Sequence, residues 1–183
     1  LGGRLLRFDK SGRVEYISPK LADICKEVNI NIEKGKKYPD EVIRKICRYM
    51  AEILLEVSGV RPSSRLLELT LSPKSTALRL DYKIDRVSFT GGVADYIYNN
   101  QAETDLYKFG DIGILLGYEI KAILNEFASK VIMPEETIMA TVVGAGTQTM
   151  DISGSTISYS QSATLPLKNI PIIEITEKEE SVN

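Results

Sequence analysis

The sequence predicts an α/β fold in which helices cover a buried, layered sheet. Two observations carry this prediction. After residue 38, short runs of β-branched and aromatic residues alternate with long stretches whose apolar residues recur at helical spacing. One short run, residues 137–143, is almost uninterruptedly apolar, as expected of a strand buried on both faces. A length of 183 residues suits one such domain, or one domain with a small subdomain.

Composition excludes several classes of function. A net charge of −2 gives no overall basic field, so we expect no nucleic acid and no anionic membrane as a partner. The absence of histidine removes imidazole bases and histidine-containing metal sites, and we assign no catalytic or metal-binding residue. No run reaches the roughly 18 apolar residues of a membrane span. The two cysteines are expected to be reduced core residues of a cytoplasmic protein.

The amino-terminal part is predicted to be a β-hairpin followed by two helices. Strand-like runs at 5–8 and 13–17 form the hairpin. Ser18 suits the N-cap of a short helix. A longer helix begins near Asp40 and ends before Gly59. The buried stripe of this longer helix is predicted to be Val42, Ile43, Ile46, Cys47, Met50, Ile53, Leu54 and Val57.

Three further strands and a third long helix are predicted downstream. The runs at 66–71, 78–82 and 87–90 are typical of strands. The helix begins near Ile112 and extends to Phe127. Its two glycines lie four residues apart, at 113 and 117, which allows another backbone to approach closely; helix–sheet packing explains them without a ligand.

The stretch Arg86–Asn99 carries the main functional hypothesis. Its strand stops at two adjacent glycines, and a helix then begins. Because glycine leaves the backbone bare, a ligand can reach the main chain at this end of the strand. The predicted nucleotide contacts are Thr90, Gly91, Gly92 and Val93. The alternative is a tight connection whose glycines only let the helix pack closely.

A second glycine-rich segment is a weaker candidate. Gly144, Gly146 and Thr147 follow the apolar run 137–143, and glycines with hydroxyls after a buried strand can cradle phosphate oxygens. The segment 151–156 places a carboxylate and hydroxyls around a glycine. It suits either a hairpin turn or the orientation of a magnesium-bound water.

Several short motifs occur in one order along nearly the whole chain. They are LGGRL at 1–5, FTGGVADYIY at 89–98, GDIG at 110–113 with LG at 116–117, VVGAGT at 142–147 and ISGSTI at 152–157. Together they resemble the carboxy-terminal part of the ethanolamine ammonia-lyase reactivating factor, the EutA family. Since several motifs in order are more specific than any single one, this resemblance strengthens the nucleotide hypothesis.

The resemblance implies the second ribonuclease-H-like lobe of an actin-like ATPase, in the superfamily of actin, sugar kinases and heat-shock chaperone ATPases. It implies ATP or ADP with magnesium as the cofactor of the full-length protein. It also implies a cytoplasmic chaperone-like factor that releases damaged cobalamin from ethanolamine ammonia-lyase so that adenosylcobalamin can enter. A homodimeric state and association with a bacterial microcompartment are left open.

The superfamily also suggests residue roles. There a hydrophobic strand ending in Gly-Gly forms the adenosine motif, and the residues at 89–94 match it. In the chaperone relatives a helix with basic side chains covers the adenine. The corresponding candidates here are Arg44, Lys45 and Arg48, although such a face is usually only solvated.

The two phosphate motifs of the superfamily, each an Asp-x-Gly strand turn, have no convincing copy in this chain. Asp151–Gly154 lacks the glycine at the right place, and Asp111–Gly113 opens a helix. The chain starts at Leu1 and not at methionine, as expected of a piece of a longer protein. We therefore predict that this polypeptide alone has no meaningful ATPase activity and binds nucleotide poorly.

The predicted domains are a small α+β subdomain at 1–64, a ribonuclease-H-like portion at 65–176 and a disordered tail at 177–183. Two other functions stay open. The first is a nucleotide-independent interaction domain that docks on the ammonia-lyase. The second is a lobe of a sugar-kinase-like phosphotransferase, which would require a catalytic aspartate near the cleft.

Overall fold

A computed structural model describes most of the chain up to Thr147. The described residues are 1–72, 74–79, 81–82, 84–100, 102–127 and 131–147. They belong to the first of two units, Leu1–Thr147 and Gln148–Asn183. The predicted segment 151–156 and the predicted tail 177–183 lie outside the described residues. The described part is α/β, with a two-stranded sheet and several helices.

The predicted hairpin is confirmed. A short 3-10 helix, Gly3–Leu5, leads into β1 (Leu6–Phe8), which pairs antiparallel with β2 (Val14–Ile17). The turn between the strands is closed by the Asp9 carboxylate, which accepts hydrogen bonds from backbone amides of residues 11 and 13 at 2.8 and 3.0 Å.

The two amino-terminal helices are also confirmed. Helix α1 (Pro19–Glu27) begins where the Ser18 hydroxyl accepts a hydrogen bond from the Leu21 amide at 3.3 Å. Helix α2 (Asp40–Val57) buries most of the predicted stripe in the core. The prediction for Val57 is wrong, because this side chain is 40% exposed where the helix ends.

Two predicted strands are helices. Residues 66–71 fall in and just after α3 (Arg65–Thr70), and residues 137–143 overlap α6 (Ala140–Thr147). Helix α3 is fixed at its start by Ser64, whose hydroxyl accepts from the Leu66 amide and donates to buried Glu56. The run 137–143 is not buried: Ile138, Met139, Val142 and Val143 are exposed. An uninterrupted apolar run has no period that separates a strand from a helix.

The predicted sheet does not form in the described residues. There, 78–82 and 87–90 belong to no named strand, and Val87 makes only an isolated parallel bridge to Val131. Helix α4 (Ala94–Tyr98) still follows the glycine turn, as predicted. The ribonuclease-H-like lobe is therefore not confirmed. No helix among the described residues is long and apolar enough to cross a bilayer.

The core is built on α5 (Gly113–Ala122), which continues into a 3-10 helix, Leu124–Phe127. Helix α5 packs against both α2 and α4. At Gly117 a Cβ atom would lie 2.5 Å from the Cβ atom of Tyr96 and 3.0 Å from the carbonyl oxygen of Val93. The predicted close backbone approach is confirmed, with a helix as the neighbour in place of a sheet.

Both cysteines are buried and unpaired, as predicted. Cys25 contributes to the core from α1, and Cys47 from α2. Burial raises the pKa of the Cys25 thiol to about 11. Neither thiol therefore has the thiolate character of a reactive cysteine.

Replacing Gly117 by alanine should destabilise the protein. The added methyl would meet backbone and a Cβ atom, which cannot move aside as a flexible side-chain end can. We expect a loss of about 1–3 kcal/mol in the free energy of unfolding, measured by urea or thermal denaturation. The matched control is Gly144→Ala in α6, where a Cβ atom meets nothing within 4 Å. Equal stability of Gly117→Ala and wild type would contradict the close α4–α5 contact.

Candidate ligand-binding site

A cavity of about 600 Å³ opens at the glycine turn. Among the described residues, four segments form its wall: residues 1–4, the turn with the start of α4, the loop that leads into α5, and Ile138 before α6. All four residues predicted as nucleotide contacts, Thr90, Gly91, Gly92 and Val93, line this cavity. The structure thus brings the predicted turn to an open pocket of a size typical for small-molecule ligands.

The two glycines of the turn differ in backbone conformation. Gly91 has φ +91°, a left-handed conformation that favours glycine, and its amide donates to the Thr137 carbonyl at 2.9 Å. Gly92 has no positive φ. A Cβ atom at either position would meet nothing within 4 Å. Close packing, the alternative explanation, therefore accounts for Gly117 but not for Gly92.

The amino-terminal segment is held against the start of α5. A Cβ atom at Gly3 would lie 2.6 Å from the Cα atom of Gly113, and the Ile112 amide donates to the Gly3 carbonyl at 3.4 Å. The loop before α5 is tied to β1, since the Phe8 amide donates to the Gly110 carbonyl at 2.8 Å. These contacts join wall segments that lie about a hundred residues apart in sequence.

Two carboxylates line the cavity. One oxygen of Asp111 accepts from the Gly113 amide at 2.7 Å, and one oxygen of Asp95 accepts from the Thr137 hydroxyl. Within the described ranges, the second oxygen of each carboxylate has no hydrogen-bond partner. These oxygens can accept hydrogen bonds from ligand hydroxyl or amino groups.

Hydrogen-bond donors also belong to residues of the cavity wall. The amides of Gly92 and Val93 donate to no acceptor in the part of the chain that the structure describes. The guanidinium of Arg4, also a lining residue, makes no ion pair there. Among the described residues no group of three Asp, Glu or Cys side chains is arranged to hold a metal ion. The cavity can therefore bind a polar ligand through both donors and acceptors.

Sequence reasoning missed several wall residues. Arg4, Phe109 and Asp111 line the cavity, although the analysis of motifs gave them no role in binding. The signal was present in the sequence, because LGGRL and GDIG are two of the motifs that carry the family resemblance. What the sequence lacked was the contact between Gly3 and Gly113 that brings these motifs together.

The basic face of α2 is not part of this wall. Arg44 and Arg48 each lie 3.5 Å from the carboxylate of Glu119 on α5. Glu119 is only 13% exposed, so the two guanidinium groups neutralise a largely buried charge. Lys45 is exposed on the same helix. The structure does not bring these three basic residues to the glycine turn.

The second glycine-rich segment is part of a helix. Gly144, Gly146 and Thr147 belong to helix α6, and Gly144 is not among the described residues that line the cavity. The prediction that they form a loop after a buried strand is wrong, because the preceding residues are not a strand. Helical residues direct their amides along the helix, which leaves no glycine loop to cradle a phosphate.

Comparisons with known proteins place the chain among ethanolamine utilisation proteins. The family model of the ethanolamine utilisation protein EutA matches residues 1–183. A relative from Salmonella typhimurium, named ethanolamine ammonia-lyase reactivase EutA, is 33% identical over 173 residues. A protein of the same name from Escherichia coli is 32% identical over 178 residues. Each match covers 94% of this chain and 36% of the relative. No solved structure matches.

The ion pairs between α2 and α5 predict a structural role for Arg44 and Arg48. In a double-mutant cycle of Arg44→Met with Glu119→Gln, we expect a coupling of about 0.2–1 kcal/mol in the free energy of unfolding, because the arginine is partly exposed. Lys45→Met with Glu119→Gln is the control and should show no coupling. Weaker ATP binding by Arg44→Met without any coupling would instead support a nucleotide role.

Proposed function

This chain belongs to the EutA family, and from that premise we propose that it is the carboxy-terminal part of a reactivating factor for ethanolamine ammonia-lyase. The proposed factor uses ATP with magnesium to release damaged cobalamin from that enzyme. Support for the partner enzyme comes from the relatives, which are named ethanolamine ammonia-lyase reactivases. Because the chain spans 36% of their length, the activity of the whole protein is part of the proposal.

The nucleotide part of the proposal rests on one observation: the cavity wall has no side chain at Gly92, although there is space for one. Neither backbone conformation nor crowding explains a glycine there, since φ is not positive and a Cβ atom would have open space. A ligand that lies against the main chain does explain it. The adjacent turn residues line the same cavity, in agreement with the adenosine motif that the resemblance implies.

The cavity wall carries charges of both signs, since Arg4 lines it together with Asp95 and Asp111. The two carboxylates can accept hydrogen bonds from a sugar or base. The chain has no convincing copy of the Asp-x-Gly turns that hold phosphates in the superfamily, and no group of acidic side chains among the described residues is arranged to hold a metal ion. We therefore propose that the groups that hold phosphates and magnesium belong to parts of the protein outside these walls. In that arrangement the nucleotide bridges two parts of the protein, and hinge closure around the nucleotide changes how the factor binds the ammonia-lyase.

A second candidate is an interaction domain that docks on the ammonia-lyase without nucleotide. It is favoured by one observation: the described residues do not form the parallel sheet expected of an actin-like lobe. A phosphotransferase of the sugar-kinase type gains no specific support from the described residues. Dependence of reactivation on ATP separates the first candidate from the second.

Filling the cavity should impair reactivation. We expect Gly92→Leu in the full-length protein to lower ATP-dependent recovery of inactivated ethanolamine ammonia-lyase by about tenfold or more at limiting ATP. The recovered ammonia-lyase activity is measured after addition of ATP, magnesium and adenosylcobalamin. Gly144→Leu is the matched control, because that glycine is also open but lies outside the cavity wall.

The outcomes of this experiment separate the candidates. Full recovery without ATP would favour the docking domain over the ATP-driven factor. Recovery that needs ATP but is unchanged in Gly92→Leu would show that this cavity is not used. Unfolding temperatures of both variants should stay close to that of the wild type, since neither side chain meets a neighbour within 4 Å of its Cβ atom.

The chain by itself should bind nucleotide poorly. It offers the wall of one cavity without the phosphate motifs of the superfamily, and most of the affinity for ATP with magnesium comes from contacts to the phosphates. In isothermal titration of the 183-residue chain we expect a Kd weaker than about 100 μM and no hydrolysis above background. Low-micromolar binding of ATP by this chain would contradict the proposed division of the site.

A further inference from the structure

The loop before α5 holds an exposed aromatic ring in the cavity wall. Phe109 is 61% exposed, and its ring lies 6.5 Å from that of Tyr96, which lines the same cavity. An exposed apolar side chain is ordinary on its own. This one differs because it lines the same cavity as two carboxylates, each with one unpaired oxygen, and as the glycine turn, which carries no side chains.

The backbone around Phe109 is fixed. Gly110 adopts a left-handed conformation with φ +66°, and its amide donates to the Tyr107 carbonyl at 2.7 Å. The carbonyl of Gly110 accepts from the Phe8 amide at 2.8 Å, and Asp111 forms an isolated bridge with Arg7. A ligand therefore meets a ring that is already in position and does not have to order a loose loop.

One neighbour of the ring is a cation. The ammonium of Lys108 lies 5.0 Å from the centroid of Phe109 and 5.9 Å from that of Tyr96. Lys108 is held by an ion pair with Glu103. Because an ammonium attracted to a ring covers only one of its faces, the exposure of Phe109 leaves ring surface for a ligand.

The cavity wall that holds the ring also offers hydrogen-bond acceptors, besides the donors Arg4 and the amides of Gly92 and Val93. The unpaired oxygens of Asp95 and Asp111 can accept hydrogen bonds from a ligand, for example from the hydroxyls of a ribose or the amino group of a base. A planar ring to stack on and two acceptors for hydroxyl or amino groups together match the chemistry of a nucleoside. A bare phosphate matches neither feature.

We propose that this cavity binds the nucleoside part of the nucleotide, with the base stacked on Phe109 and the free oxygen of Asp111 accepting from a ribose hydroxyl or a base amino group. The inference rests on the proposed function, because it assigns residues to the nucleotide that the function requires. Phe109 and Asp111 are then the residues that select a nucleotide over other phosphate compounds.

The first test removes the ring. In the full-length protein, Phe109→Ala should weaken adenosine binding, measured by isothermal titration, by about 5- to 150-fold, which is the value of base stacking on an aromatic side chain. Phe109→Tyr keeps the ring and should bind within about threefold of wild type. Tyr82→Ala, which removes an exposed ring outside the cavity wall, is the control and should bind as wild type does.

The second test changes one atom of the acceptor. Asp111→Asn keeps an oxygen for the Gly113 amide and turns the free oxygen into a donor. Adenosine binding should fall by about tenfold or more, as expected for loss of a hydrogen bond to a charged group. Binding of pyrophosphate, the probe for the phosphate end, should not fall.

The results distinguish failure of this inference from failure of the proposed function. If wild type binds adenosine and ADP but Phe109→Ala and Asp111→Asn bind them equally well, the assignment of the nucleoside to this wall is wrong and the proposed function stands. If pyrophosphate binding falls together with adenosine binding, the assignment is also wrong. If wild type binds neither adenosine nor ATP, the nucleotide-driven function is wrong, and this inference with it.

Discussion

The structure depends on two backbone contacts made by helix α5. At its first residue, Gly113, the helix contacts the backbone of Gly3, and one turn later, at Gly117, it contacts α4. A side chain at Gly3 or Gly117 would push the elements apart, because the nearest atoms opposite belong to backbone or to a Cβ atom. These contacts bring residues 1–4, the glycine turn and the loop before α5 to one cavity. The site is therefore a consequence of how closely α5 is packed.

The glycines of this chain divide into two groups that the sequence does not separate. Gly3, Gly113 and Gly117 lie where a Cβ atom would meet a neighbour closer than 3 Å. Gly91 and Gly92 lie where it would meet nothing. In the sequence both groups appear as glycines beside apolar residues, and each is compatible with close packing or with a ligand. The space around each Cβ position, together with the backbone φ angle, distinguishes a packing glycine from one that leaves the cavity wall without a side chain.

The elements that the sequence predicted correctly have strong local signals. Helix α1 has its serine cap, α2 has a long amphipathic period, and the hairpin has a polar turn. The errors concern apolar runs whose structure depends on distant partners. Helix α3 is fixed by the hydrogen bond from Ser64 to Glu56 of another helix, which no local pattern reveals. The candidate site divides in the same way: the glycine turn was predicted, whereas Arg4, Phe109 and Asp111 join it through contacts distant in sequence.

The proposed division of the nucleotide site bears on how a nucleotide could drive a reactivating factor. A ligand shifts a conformational equilibrium only by the difference between its affinities for the two states. A site that held the whole nucleotide on one rigid wall would bind the nucleotide equally well in both states. It would therefore not shift the conformational equilibrium. A wall that binds only the nucleoside end, as in the proposed site, leaves the other end of the nucleotide for a second part of the protein. In the proposed factor, contacts to both ends are then complete only when the two parts close, so that even modest affinity for the nucleoside end contributes directly to closure.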